Sequence, residues 1–125
     1  MFFRPLHEQI ICCIKKNGKK PPSPKDRSIG DIWEANRIRM SEHPFEKPEP
    51  LIKIMIENCS NKGDTILDPF LGSGTTMKVA QDLARSCIGI EISPRYCQLA
   101  KDRCFGRQFL DRKVEYEFLE GALQL

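Results

Sequence analysis

Long apolar runs, metal-ligand spacings and secretion signals are all missing from this sequence. No apolar run approaches the roughly twenty residues that a membrane-spanning helix needs, and the amino terminus has no signal-peptide pattern. The two histidines, His7 and His43, form no zinc-ligand spacing with any cysteine pair, and no two of the six cysteines are spaced as CxxC. We therefore expect a soluble, cytoplasmic protein without a metal site, whose cysteines are buried free thiols.

The chain is short and its charge is unevenly distributed. Its 125 residues, 40% of them hydrophobic, suffice for one small domain with a core and exclude a multidomain enzyme. Residues 1–40 contain nine basic residues against four acidic ones, which gives +5, whereas residues 41–125 contain eleven against thirteen, which gives −2. A basic front third suits a surface near DNA, and a merely solvated face explains the same charge equally well.

The amino-terminal third predicts a hairpin followed by an extended loop. Leu6–Ile14 alternates apolar residues as a strand does, and the lysine-rich turn at 15–20 contains Asn17-Gly18, a tight-turn signal. Prolines then impose an extended loop over about 21–31. The single tryptophan, Trp33, is either an anchor that holds this loop to the core or a base-stacking group, and the anchor is the commoner role.

The central part of the chain predicts a helix and a buried strand. The helix begins near Glu49 and ends at the Asn61-Lys62-Gly63 turn. One stripe of residues recurs at helical spacing and is expected to face the core: Leu51, Ile54, Met55, Asn58 and Cys59. After the turn, the short β-branched and apolar run Thr65-Ile66-Leu67 suits a buried parallel strand.

The carboxyl-terminal part continues the alternation of helices and strands. The pattern predicts a helix from about Thr76 to Ala84 and a second strand over 87–91. Ser93-Pro94 is a helix-start signal, with serine as the cap and proline in the first turn, for a helix over 94–105. Alternating apolar residues over 114–118 predict a last strand.

Between the first predicted strand and its helix lies a turn that small residues make possible, here called the glycine turn. It consists of Asp68-Pro69-Phe70-Leu71-Gly72-Ser73-Gly74-Thr75-Thr76. Gly72 and Gly74 remove side chains where backbone must approach a ligand closely, and the hydroxyls of Thr75 and Thr76 can cap the first amides of the helix. Because ligands of such βαβ units lie beyond the carboxyl ends of the strands, this turn is the predicted ligand site.

The residues around the glycine turn select among nucleoside ligands. Glu91 follows Gly72 by nineteen residues, close to the spacing of about twenty at which an acid accepts ribose hydroxyls. The third glycine of a dinucleotide-binding GxGxxG would fall at Met77, and no Gly-Lys-Ser/Thr phosphate loop is present, which disfavours ATP and a dinucleotide-dependent oxidoreductase. A nucleoside with a carboxylate for the helix start fits better, and S-adenosylmethionine is such a ligand.

Ordered motifs over residues 43–105 also carry a family resemblance. The matching segments are His43-Pro44, Lys47-Pro48, Leu51, Gly63-Asp64, the glycine turn, Ile88-Gly89-Ile90-Glu91 and Tyr96 to Arg103. Together they resemble the beta class of DNA amino-methyltransferases, which methylate the exocyclic amine of adenine or cytosine. The resemblance implies a partial Rossmann-like, S-adenosylmethionine-dependent α/β methyltransferase fold with parallel strands, flanking helices and an amino-terminal β-hairpin. Residues 1–42 would form the hairpin and basic loop, and residues 43–125 the cofactor-binding portion.

The resemblance implies roles for individual residues. Those expected to bind S-adenosylmethionine are Lys47, Asp68, Phe70, Gly72, Ser73, Gly74, Thr75, Thr76 and Glu91. Within this set, residues 73–76 would meet the methionine end and Glu91 would hold the ribose. Three members have structural alternatives: Lys47 as a solvated lysine, Phe70 as a core residue, and Asp68 as a cap that accepts backbone amides.

The catalytic tetrapeptide of that family, Asp/Ser/Asn-Pro-Pro-aromatic, is missing. The sole Pro-Pro, Pro21-Pro22, follows Lys20 and precedes Ser23, so the polar head and the stacking ring are both absent. No catalytic residue is therefore predicted, and the chain resembles the carboxyl-terminal portion of such an enzyme. It would be half of a split enzyme completed by a second polypeptide, a truncated product, or a free-standing cofactor-binding module.

Two expectations about partners follow. Missing strands would leave an open sheet edge and exposed apolar surface, which invite a partner or self-association. DNA is the expected substrate, and a nucleic-acid-binding module without chemistry is the alternative function.

Overall fold

The computed structural model of the chain describes residues 8–13, 15, 24–36, 38 and 44–106. Within them, helices and strands alternate in the order α1 (Glu49–Cys59), β1 (Thr65–Asp68), α2 (Thr75–Asp82), β2 (Ser86–Gly89) and α3 (Pro94–Phe105). This order confirms the predicted α/β class of parallel strands with flanking helices. In the described part of the chain, no helix combines the length and the hydropathy that crossing a membrane requires.

The two strands pair in parallel, and α2 forms the crossover between them. Their register aligns Thr65 with Ser86 and Asp68 with Gly89. Pairing continues past the strand ends, because the Ile90 amide donates to the Asp68 carbonyl at 2.9 Å and the Leu71 amide donates to the Ile90 carbonyl at 2.9 Å. The chain segments that follow the two strands therefore lie next to each other, at one edge of the sheet.

The hydrophobic core lies on one face of this sheet. Ile56 of α1 packs with Val79 and Ala80 of α2, and all three are buried. Partly buried neighbours complete the cluster: Ile52, Ile66, Leu83 and Cys87. Because Ile66 and Cys87 oppose each other in the sheet register, the core joins both strands to both helices.

The opposite face of the sheet is open in the described part of the chain. Leu67 and Ile88, which are opposed in the register, are 62% and 56% exposed. Ile90 extends the same apolar strip and is 56% exposed. The sequence predicted a strand buried on both faces, as parallel strands usually are, and the second face differs from that expectation because no described element packs on it.

The predicted stripe of α1 is wrong in its phase. Ile52 and Ile56, one helical turn apart, pack in the core cluster with α2, whereas Leu51, Ile54 and Met55 are partly buried outside that cluster and Cys59 is exposed. Almost every position of this helix between 51 and 56 is apolar, so two overlapping stripes satisfy helical spacing. Contact with α2 selects one of them.

The prediction that threonine side chains cap α2 is also wrong. The residue before the helix is Gly74, which has φ 82° and no side chain to cap with. The helix begins at Thr75 and ends at Asp82, slightly earlier at both ends than predicted, because Ala84 takes a left-handed conformation with φ 59°. The third helix matches its predicted bounds, with Ser93 before it and Pro94 in its first turn, but the Ser93 side chain makes no capping hydrogen bond.

Burial of all six cysteines was a wrong expectation. Cys12, Cys13 and Cys59 are exposed, Cys87 and Cys97 are partly buried, and Cys104 is buried. Desolvation raises the pKa of the Cys87 and Cys104 thiols to about 11, and the carboxylate of Asp68 adds to this effect at Cys87. These two thiols therefore stay protonated and behave as small apolar groups in the packing between helices and sheet.

The predicted amino-terminal strand is wrong over residues 8–13, which are exposed and form no ladder. A strand needs a neighbour with which to share its backbone hydrogen bonds, and the two described strands pair with each other. Most of the predicted hairpin turn, residues 16–20, and the predicted last strand at 114–118 lie outside the described residues. Residues 24–31 form the predicted loop, and the Trp33 indole donates to the Gly30 carbonyl at 2.7 Å within it.

This loop docks on the carboxyl end of α1. The Asp26 amide donates to Asn58 Oδ1 at 2.9 Å, and Lys25 Nζ donates to the Ser60 carbonyl. The same carbonyl accepts from Arg85 Nη2 at 2.9 Å, and Arg85 is itself buried. Two cations thus satisfy the negative end of a helix whose own last turn contains no basic residue.

Gly74 gives a testable measure of how tightly α3 packs on the glycine turn. A Cβ added at Gly74 would lie 2.8 Å from Ala100 Cβ and 2.9 Å from Ala100 Cα, whereas one at Gly63, which also has a positive φ of 85°, would meet nothing within 4 Å. We expect Gly63→Ala to cost about 1 kcal/mol through backbone strain alone. Gly74→Ala should cost about 2–4 kcal/mol, because overpacking adds to the same strain. Urea unfolding of both variants tests this, and equal losses would contradict the close contact with Ala100.

Candidate functional site

The glycine turn follows β1 and leads into α2. Asp68 Oδ1 accepts the Phe70 amide at 3.0 Å, which turns the chain directly after the strand. This contact confirms the interpretation of Asp68 as a structural cap. Gly72 and Gly74 both have positive φ, 56° and 82°, and the Gly74 amide donates to the Leu71 carbonyl at 3.1 Å. Backbone conformation therefore favours glycine at both positions.

Two glycines also permit close packing behind the turn. Gly74 lies against Ala100 of α3, and a Cβ at Gly89 would come within 2.5 Å of Leu71 Cδ2. Leu71 and the four residues after it are buried, so the middle of the turn faces the protein interior. The sequence interpretation gave Gly74 a role in ligand access alone. The structure adds a packing role, which the sequence could not reveal because it depends on the position of α3.

Glu91 ties the glycine turn to the segment that follows β2. Its Oε2 accepts the Gly72 amide at 2.8 Å, and its Oε1 accepts the Ser93 amide at 2.8 Å. The side chain is partly buried. Each carboxylate oxygen has a further lone pair, so the group keeps the capacity to accept hydroxyl donors from a ligand. Glu91 and Gly72, nineteen residues apart in sequence, are therefore in direct contact at one edge of the sheet.

Ser73 and Thr75 point into the protein. Both are buried, and their hydroxyls accept from Arg103 Nη1 of α3 at 3.1 and 2.7 Å. Arg103 Nη2 pairs with Glu46 Oε1. The two hydroxyls thus accept from the guanidinium of a neighbouring helix and are committed to packing within the protein.

The remaining predicted site residues are more exposed to solvent than Ser73 and Thr75. Phe70 is 88% exposed, which excludes the core alternative and leaves an aromatic face at the edge of the turn. Thr76 is partly buried in the first turn of α2. Lys47 pairs with Glu8 on the surface and is not among the groups that contact Glu91 or Gly72.

The arrangement can bind a polar ligand but holds no cluster for a metal. In the described ranges, no group of three or more histidine, cysteine, aspartate or glutamate residues lies close enough to hold an ion. What the site offers is a carboxylate acceptor at Glu91, the amides at the start of α2, which lack partners within that helix, and the exposed ring of Phe70. These groups match a ligand that carries hydroxyl donors, an anionic end and an apolar part.

Sequence interpretation missed Arg103 and Glu46. Arg103 fell inside a matched segment without a role, and a basic residue in the last turn of a helix is usually explained by the helix dipole. Glu46 is 57 residues away along the chain, so spacing could not pair the two. The one available signal is a charged residue beside a conspicuous aromatic, Phe45, in a proline-flanked turn.

Comparison with known proteins identifies the family of this chain. The chain matches the profile of the family described as DNA methylase over residues 2–102. It is similar to the type II methyltransferase M.HpaI of Haemophilus parainfluenzae, with 44% identity over 122 residues that cover 81% of this chain and 39% of that protein. It is also similar to the DNA adenine methyltransferase YhdJ of Escherichia coli K12, with 44% identity over 92 residues that cover 68% of this chain and 31% of that protein.

A solved structure gives the same answer for the fold. The crystal structure of the M1.HpyAVI–SAM complex superposes with a TM-score of 0.54 at 33% identity, over 65% of this chain and 42% of that one. The chain spans less than half the length of each of these relatives. Since the family profile covers most of the 125 residues, including the glycine turn and Glu91, the chain belongs to the DNA methylase family of N6/N4 type.

Proposed function

We propose that this chain is the cofactor-binding portion of a site-specific DNA methyltransferase. In this proposal the methyl donor is S-adenosylmethionine, and the acceptor is the exocyclic amine of adenine or cytosine in DNA. The observation that carries the proposal is the contact of Glu91 with Gly72 at 2.8 Å, at the carboxyl ends of two parallel strands. This is the edge at which open α/β sheets bind their ligands.

The groups at this edge fit the chemistry of the cofactor. The Glu91 carboxylate would accept the ribose hydroxyls with lone pairs that the Gly72 and Ser93 amides leave free. The first amides of α2 and the positive end of its dipole would receive the methionine carboxylate. Phe70, exposed beside them, would cover an apolar part of the ligand. When bound, the cofactor supplies the methyl group.

Ser73 and Thr75 would act indirectly. Their hydroxyls are committed to Arg103, so in this proposal they shape the turn while its backbone meets the methionine end. Lys47 would approach the cofactor from the segment before α1 by leaving its exposed pair with Glu8, which costs little.

Transfer to a base also needs groups that present the base. In this proposal a second polypeptide with an Asp/Ser/Asn-Pro-Pro-aromatic sequence supplies the acceptor and the stacking ring for an extruded base. Its docking surface on this chain would be the open sheet face of Leu67, Ile88 and Ile90. Parallel sheets are normally covered on both faces, and an exposed apolar strip of this kind favours contact with another protein surface. The basic front third would lie near DNA in the cytoplasm.

Calorimetric titration with S-adenosylmethionine tests the binding site. We expect the chain to bind the cofactor and Glu91→Gln to weaken binding by about tenfold or more, because the charged acceptor for the hydroxyls is lost. Glu57→Gln is the matched control, since Glu57 is exposed on α1. Unchanged affinity in Glu91→Gln, or an equal loss in Glu57→Gln, would contradict the assignment.

Methyl transfer by the isolated chain tests the need for a second polypeptide. With radiolabelled S-adenosylmethionine and duplex DNA, we expect no incorporation by the 125-residue chain, because the base-presenting groups must come from elsewhere. Adding a family polypeptide that carries the tetrapeptide should restore incorporation. Robust labelling of DNA by the pure chain would refute this part of the proposal.

The open sheet face predicts self-association when no partner is present. Sedimentation velocity should show concentration-dependent association of the parent chain, because exposed apolar surface is costly in water. Leu67→Lys should reduce that association. Ile32→Lys is the control, since Ile32 is 83% exposed but belongs to the loop rather than the sheet. A monomer at every concentration, or equal effects of the two substitutions, would show that the face does not drive contact.

A further inference from the structure

The segment before α1 has an inverted burial pattern. Phe45 is 75% exposed, whereas the side chain of the next residue, Glu46, is only 7% exposed. Glutamate is almost never buried unless it is paired, and phenylalanine is among the residues most often buried. In this segment the carboxylate, rather than the aromatic ring, is the group that is inserted into the protein.

The guanidinium of Arg103 is an ion-pair partner of the buried Glu46 carboxylate. Arg103 Nη2 pairs with Glu46 Oε1, and Arg103 Nη1 donates to Ser73 Oγ at 3.1 Å and to Thr75 Oγ1 at 2.7 Å. The Arg103 side chain is 24% exposed. A single residue of α3 therefore connects the segment at 44–48 with the buried middle of the glycine turn.

This connection is better suited to fixing geometry than to adding stability. Desolvating a carboxylate and a guanidinium offsets much of their attraction, so an apolar pair of similar volume could stabilise the fold as well. The guanidinium differs from an apolar group in its directions, since its rigid, planar fork holds several acceptors in one plane. What the pair contributes is therefore a defined position for the segment relative to the turn.

Lys47 follows Glu46 in the chain, and its ion pair with Glu8 is too exposed to fix its position. Lys47 and Glu8 are 50% and 78% exposed as side chains, and an exposed pair of this kind contributes little. The Lys47 backbone lies between two fixed neighbours: Glu46, which pairs with Arg103, and Pro48, whose carbonyl accepts the Leu51 amide of α1 at 3.1 Å. Its side chain stays free to change partners.

We propose that Glu46 and Arg103 are positioning residues that tether the segment carrying Lys47 to the glycine turn, so that Lys47 is presented to a ligand bound there. The part that concerns the ligand rests on the proposed cofactor site. The tether itself does not, because it is a contact between three segments of this chain.

Hydrogen exchange of the ligand-free chain tests the tether. Arg103→Gln should raise the exchange rates of the amides of residues 45–47, which lie between Pro44 and Pro48, and of residues 71–75 by about tenfold, because both segments lose a group that orders them. Arg27→Gln, the same substitution at an exposed loop residue, should leave these rates unchanged. A double variant, Glu46→Gln with Arg103→Gln, removes both charges and guards against unfolding caused by one unpaired buried charge. No rise at 45–47 in either variant would overturn the tether.

Cofactor binding tests the positioning role. Arg103→Gln and Lys47→Gln should each weaken S-adenosylmethionine binding by about tenfold, and the two together by no more than either alone, because Lys47 cannot act once its segment is released. A lower melting temperature with unchanged affinity, or two effects that multiply, would overturn the positioning role. If the parent chain binds no S-adenosylmethionine, the proposed cofactor site fails and the positioning role with it, while the exchange rates still decide the tether.

Discussion

The carboxylate of Glu91 makes the contact on which the ligand edge of this protein depends. One oxygen accepts the Gly72 amide from the turn after β1, and the other accepts the Ser93 amide at the start of α3. Hydrogen bonds to a charged acceptor are stronger than neutral ones, and partial burial strengthens them further. Two loops that belong to different strands are thereby fixed with respect to each other, which is what a preformed binding edge requires.

The glycine turn is fixed by contacts on two sides, with α3 on one side and Glu91 on the other. Gly74 allows α3 to approach closely through Ala100. Three residues later on the same helix, Arg103 donates hydrogen bonds to the hydroxyls of Ser73 and Thr75. The front of the turn meets Glu91, so its shape is determined from two sides. This explains why the turn can be rigid although it contains two glycines, which on their own would favour disorder.

How much of this could be predicted depends on the range of the interaction. The bounds of α3 followed from Ser93-Pro94 and a helical pattern, and the location of Glu91 at the same edge as the glycine turn followed from βαβ spacing, because both signals are local or of fixed period. The facing stripe of α1 could not be chosen, since the apolar run from Leu51 to Ile56 satisfies more than one phase. The hairpin prediction failed over 8–13 because alternation indicates a strand without supplying its partner.

Contacts between distant segments were out of reach of sequence patterns. The pair of Glu46 with Arg103 joins residues 57 positions apart, and the exposure of Cys59 depends on where α2 packs rather than on its apolar neighbours. The same holds for the open sheet face. Leu67 and Ile88 are ordinary strand residues in sequence, and their exposure follows from how few elements surround a two-stranded sheet in the described part of the chain.

The central claim is that the edge formed by the glycine turn and Glu91 receives S-adenosylmethionine. Nuclear magnetic resonance of the isotopically labelled chain, titrated with the cofactor, tests it at the level of single amides. We predict that the amide resonances of residues 71–76 and 90–93 shift along a saturating curve while those of the exposed face of α1 stay in place. Saturating shifts confined to other segments, or no shifts at all, would contradict the account.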